Sequence, residues 1–164
     1  MRESYGDVRE LLLHFRTRST SEDIEAALRS TLHKFELQSG LPTELQIHGH
    51  GLPLPPDCQI QVLHVLQEAL SNVRKHARAN RVWLRVQQQP QWRFEVCDDG
   101  CGFDARVNAP DATHVGLRIM RERASRIGAQ LQVLSAPGRG TSVVLALPAT
   151  APQTAPAPPA PVRI

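Results

Sequence analysis

The sequence predicts a two-layer α/β domain, and three observations carry that expectation. Stretches with apolar residues at helical spacing are interleaved with short stretches of period-two alternation. The chain has 164 residues, enough for one domain with a full core and too few for two. Aromatic residues make up only 4% of it, so the core must be built from Leu, Val, Ile and Ala. The order of elements suits one mixed sheet with three helices on one face.

Residues 7–15 read as the end of an amphipathic helix, with Val8, Leu11, Leu12 and Phe15 at i, i+3, i+4 and i+7. Alone, such a stripe is marginal in water. Ser19 and Glu22 have capping-box spacing and open a helix expected to reach Gln38, burying Ile24, Ala27, Leu28, Leu32 and Phe35. Gly40 and Pro42 stop it. A short strand over 44–48 turns Leu45 and Ile47 inward. Pro55-Pro56-Asp57 then starts a long helix expected to run to about Ala79, proline being tolerated in a first turn.

Two strands meet near Pro90: 81–88 alternates Val82, Leu84 and Val86, and 91–97 alternates Trp92, Phe94 and Val96. From Asp98 to about Thr113 the chain is rich in Gly, Asp, Asn and Pro and reads as a loop. A third helix is expected over 117–127, ended by Gly128. Strands over 131–134 and 141–147 close a hairpin around Pro137-Gly138. After Leu147 alanine alternates with proline, which buries no core and removes backbone donors, so a disordered tail is expected.

The net charge of +3 is mild, and Lys and Arg are scattered rather than clustered with aromatics, which speaks against nucleic-acid binding. Cys58, Cys97 and Cys101 lack the spacing of a zinc site and read as reduced structural thiols in a reducing compartment. No apolar run approaches the roughly 18 residues of a membrane span, and the first residues lack a signal peptide's apolar core. A cytoplasmic setting is the expectation, including the cytoplasmic part of an inner-membrane sensor.

The chemistry concentrates in Glu68-Ala-Leu-Ser-Asn72-Val-Arg-Lys75-His76-Ala77. At 100° per residue Glu68, Asn72, Lys75 and His76 share one side, with Leu66, Leu70, Val73 and Ala77 opposite. Alone, this segment reads equally well as a solvated face. Downstream, Val96-Cys-Asp98-Asp99-Gly100-Cys101-Gly102-Phe103 follows a strand-like run. A carboxylate beside a glycine-hinged loop, combined with an acid-amide helix face, suits a magnesium-nucleotide site.

In that order and spacing the two segments resemble the N box and G1 box of the ATPase domain of sensor histidine kinases, in the superfamily of gyrase B, Hsp90 and MutL. The stretch from His114-Val-Gly116-Leu117 to Arg123-Ala resembles the G2 box, and Gly138-Arg-Gly140-Thr141 the final Gly-Thr. The nitrate/nitrite-sensor type is the most similar subgroup. A lone Gly-x-Gly is weak; four boxes in order, over about residues 5–148, are specific.

The resemblance implies an α/β sandwich of the Bergerat ATP-binding type, with ATP and Mg2+ as ligands. It divides the chain into a remnant of a dimerisation and phosphoacceptor helix (1–18), the ATPase domain (19–148) and the tail (149–164). Glu68 is implied to polarise the attacking nucleophile or a metal-bound water, and Asn72 to bind magnesium through its side-chain oxygen. Lys75 and His76 are implied to donate to phosphate oxygens. Asp98 would accept a hydrogen bond from the adenine amine, which favours ATP over GTP. Gly100 and Gly102 would let the backbone approach the purine with positive φ, and Gly140 and Thr141 would lie at the adenine. Residues 104–113 would form a lid, with Gly116 and Leu117 offering helix-terminal amides to phosphate. His114 stands where many members have glycine, placing an imidazole near the phosphates.

The implied function is transfer of the ATP γ-phosphoryl to a histidine on a dimerisation domain, and from there to a response regulator. The acceptor histidine of such kinases is followed by an acid. His14, His33, His48, His50 and His64 are followed by Phe15, Lys34, Gly49, Gly51 and Val65, so this chain is expected to bind ATP without autophosphorylating alone. Two alternatives stand beside this. One is a non-catalytic nucleotide-binding regulatory module. The other is a serine kinase resembling anti-sigma factors, disfavoured by the helix segment from Arg9 to Arg16.

Overall fold

A computed structural model describes residues 21–104 and 111–149. The expected helix over 7–15, the capping box at Ser19, residues 105–110 of the expected lid and the tail from 150 lie outside them. The described chain runs α1 (Ser21–Ser39), β1 (Thr43–His48), α2 (Pro56–Asn72), a π-helical turn (Val73–Ala77), β2 (Val82–Gln87), β3 (Arg93–Asp98), α3 (Asp111–Arg126), β4 (Gln130–Ser135) and β5 (Thr141–Ala146). The sheet has five strands in the order β1-β2-β3-β5-β4. Strands β1 and β2 are parallel, and every other pair is antiparallel. This is the mixed sheet with three helices that the sequence predicts.

One core joins the layers. Ile24, Leu28, Leu32 and Phe35 of α1 and Val62, Val65, Leu66, Ala69 and Leu70 of α2 pack with Val82, Leu84, Val86, Phe94, Val96, Val143 and Leu145 of the sheet. Successive strand side chains point to opposite faces, so Trp83, Glu95, Cys97 and Ser142 fall on the other side of the sheet and are only partly buried. Gly40 ends α1 at φ +71°. Glu36 then ties the helix end to β1, its Oε1 accepting from the Thr43 amide at 2.8 Å and the Thr43 hydroxyl at 2.6 Å. The three cysteines are free, and burial pushes the Cys58 and Cys97 thiols above their ordinary pKa. Among the described residues no helix is long and apolar enough to cross a membrane.

Two of the boundaries that differ from the sequence reading shape the cleft. The third helix starts at Asp111 rather than Leu117. Its buried stripe of Leu117, Met120 and Ala124 extends one turn earlier through Thr113, which is only 4% exposed. The Gly/Asp/Asn/Pro content of the preceding loop had masked that i, i+4 continuation. The second helix leaves α geometry after Asn72, closes with the π turn, and ends at Arg78 with φ +48° instead of reaching Ala79.

Candidate functional site

A cleft opens between the end of α2, the loop after β3, the first turns of α3 and strands β4 and β5. Its floor is apolar, from Val96, Leu117, Val133 and Val143, and its polar groups are Asn72, His76, Asp98, Thr113 and Thr141. Asn72 and Asp98, distant in sequence, therefore meet in one cavity. A concave apolar floor with a few convergent polar groups is the usual form of a small-molecule site.

Asp98 ends β3 and is 7% exposed. Its Oδ1 accepts the Gly100 N–H at 2.8 Å. Burial pushes its carboxyl above the usual carboxylate range, opposed by the amides of Gly100 and Thr141. The loop that follows is clamped on both sides. The Cys101 N–H donates to the Ala77 carbonyl at 2.6 Å, and the Cys101 carbonyl accepts from Gly138 at 2.6 Å. Asp99 caps the chain after the π turn, its Oδ1 taking the amides of Asn80 at 2.8 Å and Arg81 at 3.0 Å.

This clamp adds a structural role to the one expected of the glycines, of which Gly102 also lines the cleft. Gly102 and Gly140 have positive φ, at +60° and +73°; Gly100 does not. The close approach is to protein backbone: a Cβ on Gly100 would lie 2.0 Å from the Ala77 oxygen, and one on Gly102 2.1 Å from the Ala136 oxygen. Gly140 is likewise buried, pressed against the Asp98 carbonyl. Their absent side chains let three segments converge beneath the carboxylate.

The α2 end behaves differently. Glu68 and Asn72 both reach α3 at Gly116, where an added Cβ would meet Glu68 Oε1 at 2.8 Å and the Asn72 amide atoms at 3.0 Å. The π turn then interrupts the 100° rotation, because a π turn holds more residues than an α turn. His76 enters the cleft together with Val73 and Ala77, while Lys75 is exposed and outside the cleft lining. The four residues expected on one helix side are thus split. His76 Nε2 is buried with no hydrogen-bond partner among the described residues.

The earlier start of α3 corrects two further expectations. An α-helix leaves only its first four amides unbonded, so the amides of Gly116 and Leu117 are spent inside a helix that begins at Asp111. Leu117 contributes its side chain to the cleft instead. His114 is exposed and lines a separate surface with Val115, Arg118 and Arg121.

Phe103, Val133 and Val143 line the cleft without having been expected there, and Thr113, expected at the end of the lid, lines it from the first turn of α3. Ser135 was also missed, although its hydroxyl accepts the Phe103 N–H at 2.9 Å and lies 2.8 Å from the Thr141 hydroxyl. Only the strand parity of 131, 133 and 135 pointed to it. No group of three or more His, Cys, Asp or Glu side chains that could hold a metal occurs among the described residues. A divalent ion here would need few protein ligands, and the oxygens of Glu68 and Asn72, brought to one point at Gly116, are hard donors of the kind magnesium takes alongside water and phosphate.

Residues 58–151 match the family described as histidine kinase-, DNA gyrase B- and HSP90-like ATPase. The nitrate/nitrite sensor protein NarX of Escherichia coli K12 is 33% identical over 143 residues, covering 87% of this chain and 24% of that protein. The sensor histidine kinase LiaS of Bacillus subtilis is 30% identical over 148 residues, covering 89% of this chain and 40% of LiaS. The chain thus spans between about a quarter and two fifths of these relatives. The histidine kinase domain of a blue-light activated histidine kinase from Erythrobacter litoralis superposes with a TM-score of 0.64 at 24% identity, over 80% of this chain and 64% of that one, and shows the same fold. By this match over more than half its length, the chain belongs to the histidine kinase-, gyrase B- and HSP90-like ATPase family.

Proposed function

We propose that the cleft binds ATP with magnesium and that the γ-phosphoryl passes to a histidine on a dimerisation domain, which hands it to a response regulator. The observation that carries this reading is the meeting of Asn72 and Asp98 in one cleft. Asp98, held as an acceptor by the Gly100 amide, takes the adenine amine. His76 offers its unpartnered Nε2 to the triphosphate. Asn72 would hold the magnesium ion through its side-chain oxygen, and the ion would offset the phosphate charge. The acceptor imidazole attacks through its unprotonated ring nitrogen, and Glu68 accepts the proton of the other ring nitrogen as the bond from phosphorus to the ADP oxygen breaks and a phosphorus–nitrogen bond forms. The carboxylate at the turn before Asn72 is suited to that role by its position against Gly116.

The setting is the cytoplasmic face of a signalling kinase, with residues 1–18 belonging to the connection to the dimerisation domain and 149–164 to a tail outside the ATP-binding body. Labelled ATP tests the reading. The chain alone should bind ATP and take up no label, whereas an added acceptor domain should become labelled on histidine, with the acid lability of phosphohistidine. An acid-stable label would mean a serine kinase instead. Label on the isolated chain would refute the separate acceptor.

A further inference from the structure

Ser135 closes β4 directly opposite Thr141, the first residue of β5. Its hydroxyl has three polar neighbours: the Phe103 N–H at 2.9 Å, the Gly140 carbonyl at 3.1 Å and the Thr141 hydroxyl at 2.8 Å. A serine hydroxyl has one proton and two lone pairs. The Phe103 amide can only donate and the Gly140 carbonyl can only accept. Making all three contacts at once sends the single Ser135 proton to Gly140, and both lone pairs then receive, one from Phe103 and one from Thr141. In that arrangement Thr141 spends its own proton on Ser135. What it has left to turn toward the cleft, which it lines, is lone pairs.

Thr141 pairs with Asp98 across β3 and β5. The cleft wall thus carries two acceptors side by side, a carboxylate and a hydroxyl whose proton is already committed. We propose that Ser135 is a positioning residue that sets a preference for 6-amino over 6-oxo purines by holding Thr141 as an acceptor; this rests on the nucleotide reading of the cleft. An exocyclic amine, directly or through a water, donates to both acceptors. A 6-oxo purine brings a third acceptor against them, and unpaired polar groups of this kind are what make hydrogen-bonding sites discriminate. Without the Ser135 hydroxyl, the Thr141 proton is released to point at a carbonyl, and the discrimination weakens.

The test is a calorimetric titration of the full chain with Mg-ATP and Mg-GTP. The ratio of Kd for GTP to Kd for ATP should fall about tenfold in Ser135→Ala, the equivalent of one hydrogen bond. Ser135→Thr, which keeps the hydroxyl, should retain the wild-type ratio. Thr141→Val should lower the ratio similarly, and adding Ser135→Ala to it should change the ratio no further. A merely structural Ser135 would lower the melting temperature and leave the ratio alone, and that result overturns the proposal. If Ser135→Ala does not fold, Thr141→Val decides: an unchanged ratio overturns the proposal, a lowered one supports it. Wild-type protein that binds neither nucleotide sinks the nucleotide reading and this inference together. Wild-type protein that prefers ATP, with Ser135→Ala keeping that preference, sinks this inference alone.

Discussion

The two ends of the cleft are built in opposite ways. At the Asp98 end, the polar groups are already engaged: Asp98 by Gly100, Asp99 by Asn80 and Arg81, Cys101 by Ala77 and Gly138, Ser135 by Phe103, Gly140 and Thr141. At the α2 end, Asn72 and its neighbours Glu68 and Lys75, which lie outside the cleft lining, make no side-chain hydrogen bond or ion pair among the described residues, and His76 Nε2 is buried without a partner. A preorganised end costs nothing to arrange when a ligand arrives. An unengaged end gains its partners from the ligand. On the proposed nucleotide reading, the Asp98 end is therefore suited to selecting a base, and the α2 end to adapting around the phosphates as chemistry proceeds.

The largest test of that contrast is a pair of glycine substitutions. Gly100→Ala drives a methyl into the Ala77 carbonyl, a backbone group that cannot move aside. A loss of about 3 kcal/mol is expected in urea unfolding. Gly116→Ala meets only the ends of Glu68 and Asn72, which can rotate, and it gains helix propensity. Its stability should change by less than about 1 kcal/mol, while magnesium-dependent ATP affinity falls. Equal stability losses at the two sites would abolish the distinction.

Asn72→Ala comes next. Titration should show about a hundredfold weaker binding of Mg-ATP, with a melting temperature close to wild type, because the proposed oxygen ligand is lost and nothing in the fold leaned on it. A large fall in melting temperature would place Asn72 among the engaged groups after all.

Asp98→Asn should separate affinity from stability. Burial raises the carboxyl's pKa, so the folded chain holds that proton more tightly than the unfolded chain. Between the unfolded value and the raised folded value, stability falls as pH rises, and above both the ionised group costs a constant amount. The amide variant avoids that cost, so at neutral pH it should melt at or above the wild-type temperature, with the gap closing on acidification. ATP affinity moves the other way. It should drop about tenfold in Asp98→Asn. In the wild type it should fall on acidification at a higher pH than for an ordinary carboxylate, as the acceptor is protonated. The smallest effect is expected at Lys75, exposed and outside the cleft. Lys75→Ala should weaken ATP about twofold, less than His76→Ala, since a solvated ammonium contributes little.

Much of this was legible in the residue pattern. The helical stripe from Ile24 to Phe35, the alternation Val82, Leu84, Val86 and the Asp98-to-Gly102 run announced the layers and the place of the carboxylate. The misses share one cause, which is that a local window was read where packing takes over. A uniform 100° rotation put Lys75 beside Asn72, but the π turn that Val73 and Ala77 adopt to stay buried turned it outward. Loop composition hid the first turn of α3, which forms because Thr113 has a pocket to fill.

Chemical identity was written along the chain: which side chains can accept, donate or ligate, and the alternation that sorts them into layers. Their company was settled by folding. Whether Gly116 would stand over Glu68 and Asn72, or Ser135 would take the proton of Thr141, depends on contacts between elements far apart in sequence. Such contacts follow from how a whole core packs at close density, and no local window of residues contains that information.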